Sequence, residues 1–198
     1  MDVATELILG LCLASATGLR AFLPMLIISV LAHFHVVHLI VQYAWMESDT
    51  TMIVLGIATV IDLLADKIPV IDHAMDVFHT IARPTAGLLL VAGTQQHLSP
   101  HLATLAGVAI GLPAAASVHV LKSGARLSST ALTGGCLTPF LSFAEDIASA
   151  VMTVLAVFAP FVALGVLIAG VWSAVRAATT LRNRARDKNG EKAVGETG

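Results

Sequence analysis

Long apolar runs broken by short polar stretches set the pattern of this chain. The runs cover about residues 7–34, 52–65, 85–96, 101–121 and 147–177. A helix that crosses a bilayer needs about 20 apolar residues. Segments 52–65 and 85–96 reach that length only by continuing into partly polar helix, whereas 147–177 is long enough to cross with tilt or to break near Pro160. The first run carries Thr17-Gly18-Leu19-Arg20 and Pro24 inside it. Unsatisfied backbone in lipid costs several kcal/mol per group, so such a break is expected to be buried in protein or to face water. A second interruption, Thr133-Gly134-Gly135-Cys136-Leu137-Thr138-Pro139, also starts with Thr-Gly and reaches a proline six or seven residues on, as the first does. Two Gly/Pro-broken segments in comparable places suggest an inverted repeat with a binding site between its halves. The pattern predicts an all-α polytopic membrane protein with interrupted or re-entrant helices. Residues 1–177 form one multi-pass domain in this reading.

Composition agrees. The chain is 57% hydrophobic and 12% charged, with a mean hydropathy of +0.86, where a soluble domain carries roughly 25% charged residues. Lipid is its expected solvent and its first partner. A cytosolic globular enzyme, a basic nucleic-acid binder and a disordered protein are all excluded. From Arg176 onward the chain holds six basic residues and three acids, and the rest is net −5. By the positive-inside rule, the basic stretch 178–198 reads as a disordered cytoplasmic tail. The opening MDVATE has acids and no basic n-region, so the first apolar run is expected to be retained rather than cleaved. Cys12 and Cys136 belong to no CxxC pair and read as small packing residues.

The connector QYAWMESDTT reads as interfacial, with Tyr43 and Trp45 in the headgroup belt and Glu47 and Asp49 in water. His33, His35 and His38 close the first run and read as solvated, with a metal site as the alternative. His97 and His101 flank Ser99-Pro100 in a loop and take the same solvated reading.

Two charged clusters carry the candidate chemistry. In IDLLADKIPVIDHAMDVFHTIARP, residues 61–84, Asp62 and Asp66 share one helical face, and Pro69 ends that helix or starts the next. Asp72, Asp76 and His79 follow at i, i+4 and i+7, with Lys67, His73 and Arg83 among them. Carboxylates this close in an apolar chain repel one another, so cations must offset them. Lys67 and Arg83, a bound metal, protons, or Arg20 and Arg126 from elsewhere in the fold would serve. Asp62 and Asp66 read as a cation or proton site. Asp72, Asp76 and His79 read either as a metal set or as the wet side of an amphipathic surface helix. The second cluster places His119, Lys122 and Arg126 on one stripe, followed by Glu145 and Asp146 at the head of the last apolar run. These acids would cap that helix or pair with Lys122 and Arg126.

ATGLRAFLP (16–24), ADKIPVIDHAMDVFHTIARPTAG (65–87), the His119/Lys122/Arg126 pattern and STALTGGCLTPFLSFAED (129–146) together resemble a bacterial inner-membrane family, domain of unknown function four-one-two-six. The resemblance spans about residues 6–165. Thr138 stands where the family is expected to carry Asn before the proline. The resemblance implies a compact multi-pass protein of the bacterial cytoplasmic membrane whose motifs meet in the fold, and it implies no particular activity.

The first functional expectation is a transporter or channel for a small ion or polar solute, coupled to a monovalent or divalent cation or a proton. Its site would be drawn from Arg20, Asp62, Asp66, Lys67, Arg83, His119, Lys122, Arg126, Glu145 and Asp146. One alternative is a metal-dependent membrane enzyme acting on a lipid phosphate, with Asp72, Asp76 and His79 among its ligands. That reading lacks a recognisable nucleophile or transferase motif, and no catalytic residue is assigned. The other is a non-catalytic membrane subunit whose charges serve only each other. Homo-oligomerisation is compatible with all of these.

Overall fold

In a computed structural model the described backbone covers residues 2–65, 69–133 and 138–195, and the described side chains exclude 66–77, 127–139, 178 and 181–198. Among the described residues there is helix and no strand. The helices are α1 (Val3–Leu19), α2 (Phe22–His33), α3 (Asp49–Ala65), α4 (Pro69–Thr94), α5 (Pro100–Ala106), α6 (Leu112–Thr133), α7 (Thr138–Phe158) and α8 (Pro160–Gly195). A 3-10 helix, Val41–Glu47, precedes α3, and a π-helical turn, Gly107–Gly111, joins α5 to α6.

Among the described residues, three helical stretches are long and apolar enough to cross a membrane: Pro100–Arg126, Phe140–Phe158 and Pro160–Ala177. The 3-10 helix and α3 bend by 64° at Ser48 and would add a fourth if taken as one broken span. The chain is an all-α membrane protein. Pro69 opens α4, so the short run 85–96 does continue into a longer, partly polar helix. Pro160 opens α8 after the break at Ala159. The chain divides into residues 1–164, which hold the site described below, and residues 165–198. In the second unit, the Arg176 guanidinium lies 4.1 Å from the centre of the Trp172 ring.

On α3 and α7 the outer face is apolar and the buried face largely polar. On α3, Ile53, Val54, Ile57, Val60, Ile61 and Leu64 are exposed, while Leu55, Thr59 and Asp62 form the buried stripe at i, i+4 and i+7. On α7, Phe140, Phe143, Ile147, Val151 and Val154 face out, and Ser142, Glu145, Ser149 and Thr153 face in. Water would favour the reverse arrangement, and lipid favours this one. Buried hydroxyls turn back onto their own helix, as Thr59 Oγ1 does to the Leu55 carbonyl at 2.7 Å and Thr153 Oγ1 to Ser149 at 2.7 Å.

Helix α1 sits at the centre, packed on α4, α6 and α7. Its small residues allow this, since backbones in membrane bundles approach closely only over Gly, Ala, Ser and Thr. Buried Cys12 is such a packing residue, as expected; Cys136 lies outside the described residues. The tightest approach joins α4 to the π turn. A Cβ on Gly87 would meet the Gly111 carbonyl at 2.7 Å, and one on Gly111 would run into the Gly87 carbonyl.

One local reading changes in the structure, and one helix end is distinctive. Tyr43, expected at the headgroup belt, is buried, with its hydroxyl 3.4 Å from Thr104 Oγ1, while Trp45 stays half exposed. His35 takes a left-handed conformation (φ 58°) just beyond α2. There the Val36 amide donates to Leu31 and the His35 amide to Ala32, the bonds of a Schellman turn.

Candidate functional site

The break after Leu19 brings the charged clusters together. A helix end in lipid leaves carbonyls with no partner, and neighbouring helices supply one here. Lys122 Nζ donates to the Leu19 carbonyl at 2.8 Å, and Ser149 Oγ to that of Ala16 at 3.0 Å. Arg20, extended at φ −137° and fully buried, then points its guanidinium among α3 and α7. Its Nε lies 2.5 Å from Asp146 Oδ1, its Nη1 4.0 Å from Asp62 Oδ2, and its Nη2 donates to Ser142 Oγ at 2.7 Å.

From Asp62 the chain of contacts runs into α4. His79 Nε2 lies 2.7 Å from Asp62 Oδ1, and both side chains are only 1% exposed. Arg83, on the same face of α4 one turn later, reaches His79 Nδ1 at 3.2 Å and His119 Nδ1 of α6 at 2.6 Å. A guanidinium only donates, so Nδ1 of each imidazole accepts and the ring hydrogen sits on Nε2. For His79 the Nε2 that carries this hydrogen is the atom in close contact with Asp62 Oδ1. A separate triad closes the assembly: Glu145 Oε2 takes Lys122 Nζ at 2.9 Å and Arg126 Nη2 at 2.9 Å.

Arg20, Asp62, His79, Arg83, His119, Lys122, Arg126, Glu145 and Asp146 therefore meet in one buried region contributed by α3, α4, α6, α7 and the break after α1. Asp66 and Lys67, and the side chains of Asp72, His73 and Asp76, lie outside the described residues. The metal set suggested for Asp72, Asp76 and His79 rests on two of these. His79 itself has Nε2 on Asp62 and Nδ1 on Arg83. No cluster of three or more His, Cys, Asp or Glu is placed to hold a metal among the described residues. His33 instead bonds the Glu47 carbonyl at 3.1 Å. Ser142 and Ser149, which hold Arg20 and cap α1, carried no distinguishing signal in the sequence. A serine within an apolar helix is too common to mark.

Chemically, this is a network of cations and imidazoles with three carboxylates, Asp62, Glu145 and Asp146. It can hold a small cation or proton against Asp62 or Glu145, and an anionic group against Arg20, Arg83 or Lys122. A family model described as a domain of unknown function, DUF4126, matches residues 7–180. The chain belongs to this family. The match takes in both interrupted segments and every residue of the buried region. Neither the curated proteins nor the solved structures contain a match to the chain.

Proposed function

We propose that this DUF4126 protein is a transporter or channel for a small ion or polar solute, and that the buried region around Arg20 and Asp62 is its site. The observation that carries the reading is the inward placement of Asp62, His79 and Arg20, each at most 1% exposed, on helices whose outer faces are aliphatic. Ionisable groups held this deep in a membrane protein are costly, and they most often mark ion, proton or solute pathways. In this reading Asp62 takes the coupling cation or proton and Arg20 is its counter-charge. His79 passes the change on to Arg83 and His119. The protein resides in the bacterial cytoplasmic membrane with the basic segment beyond Arg176 on the cytoplasmic side, in keeping with the positive-inside rule.

The test is flux. Proteoliposomes loaded with a pH-sensitive dye are challenged with gradients of small monovalent cations and amines, and proton movement coupled to any of them is recorded. Asp62→Asn should lower the coupled flux at least tenfold while the protein remains folded. Flux unaltered by that change overturns the reading.

A second reading, a non-catalytic subunit, is favoured by one observation: Lys122 and Arg126 both pair with Glu145 Oε2 at 2.9 Å. It predicts co-purification with a larger partner. It also predicts that Asp62→Asn lowers abundance rather than flux.

A further inference from the structure

A second polar group lies at the other end of α1. Glu6 is in the first turn of that helix and is 2% exposed, yet it lines a cavity of about 250 Å³. Its Oε1 lies 2.7 Å from His97 Nδ1, and its Oε2 accepts from the His97 backbone amide at 3.2 Å. Gln95, fully buried, donates through Nε2 to the Glu6 carbonyl at 2.9 Å and so holds the backbone that carries the carboxylate. The rest of the wall is Leu9, Val36, Val37 and Val157 together with the polar residues His38, Thr94 and Gln96.

We propose that this cavity binds a primary ammonium group carried on a short apolar stem. A carboxylate has about four acceptor positions. His97 occupies two of those on Glu6, and the rest are open to further donors. The N-terminal dipole of α1 favours the charged carboxylate at this position. No lysine or arginine lines the cavity among the described residues, so the groups that could compete with a bound cation there are His38, which lines it, and His97, which holds Glu6. The volume equals that of about eight waters. The apolar part of the wall, Leu9, Val36, Val37 and Val157, suits a chain of a few carbons, and no group of three or more His, Cys, Asp or Glu is placed to hold a metal ion among the described residues. Two sources share this chemistry, a soluble amine and the ethanolamine headgroup of a lipid. The inference holds or fails independently of the transport reading, because it concerns binding at the end of α1 away from Arg20.

The test is calorimetric titration of lipid-free, detergent-solubilised protein with n-butylammonium, alongside n-butanol and butyrate. The ammonium should bind saturably, with the alcohol and the acid at least tenfold weaker. Glu6→Gln should weaken the ammonium by about ten- to a hundredfold, the range expected for one lost charged hydrogen bond. Where that variant does not accumulate, Val37→Phe narrows the cavity and leaves the carboxylate, and it too should abolish binding. Repetition in nanodiscs separates the sources. Competition from phosphatidylethanolamine but not phosphatidylcholine assigns the group to a headgroup, and competition from neither assigns it to a soluble amine. Butylammonium binding unchanged in the variant used, equal binding of n-butanol, or equal competition from both lipids overturns the proposal.

Discussion

Lys122 Nζ lies 2.8 Å from the Leu19 carbonyl and 2.9 Å from Glu145 Oε2, so one cation from α6 both closes the end of α1 and ties α7 to it. Removing it strands a carbonyl and leaves Glu145 with Arg126 as its described partner. Breaking a buried pair from one side costs about 3–5 kcal/mol. Lys122→Met is therefore expected to destabilise the protein by about 3 kcal/mol, measured by reversible unfolding in mixed micelles. Lys122→Arg should recover part of that loss.

His79 joins Asp62 to Arg83, and its removal separates the two halves of the network. His79→Ala leaves Asp62 with Arg20, 4.0 Å away, as its described neighbour. The expected cost is about 2–4 kcal/mol, from a buried charge deprived of a close donor. His79→Gln should cost less, because an amide N–H can still reach the carboxylate. Equal losses in the two variants would show that imidazole volume, and not the hydrogen bond, matters there.

Gly87 and Gly111 press backbone on backbone. Gly111→Ala drives a methyl into the Gly87 carbonyl, and Gly87→Ala meets Ala115 Cβ and the Gly111 carbonyl, both at 2.7 Å. Each change should destabilise by about 1–3 kcal/mol, the usual range for overpacking. The double variant should cost less than the sum, since one separation of α4 from the π turn relieves both clashes. Unfolding of the two single variants and the double variant checks this.

The outer face of α3 offers a test of the membrane assignment itself. Ile57→Ala should change stability in nanodiscs by less than about 0.5 kcal/mol, because lipid replaces the lost contacts. Ile57→Lys should cost about 2–3 kcal/mol. On a water-exposed helix the lysine would instead be harmless.

Much of this arrangement was legible before any coordinates. Arg20 beside Gly18 inside an apolar run marked a break that needed partners, and the i, i+3, i+7 spacing of His119, Lys122 and Arg126 marked one helix face. Spacing along a single helix carries such information because periodicity is local. What it does not carry is which helix meets which. That Lys122 caps α1, that Ser142 holds Arg20, and that Arg83 bonds two histidines from different helices depend on contacts between residues far apart in sequence. The pairing of Glu6 with His97 is illegible for the same reason: His97 alone reads as a solvated loop residue and Glu6 as an ordinary acid near a helix end. Tyr43 shows a limit of composition, since an aromatic in a polar connector can turn inward as easily as toward headgroups.

The Gly87–Gly111 contact has an electrical consequence. Glu6 and Arg20 are separated by about 21 Å of α1, and the residues packed between them include glycine, alanine, valine and the uncharged Thr17 and Gln95. A thin insulating layer of this kind is where a voltage across the protein would concentrate. Each unit charge carried between the two polar ends would then exchange about 2.3 kcal/mol with the field for every 100 mV. Loosening that one glycine contact would spread the drop over a longer, wetter path and weaken its hold on any moving charge.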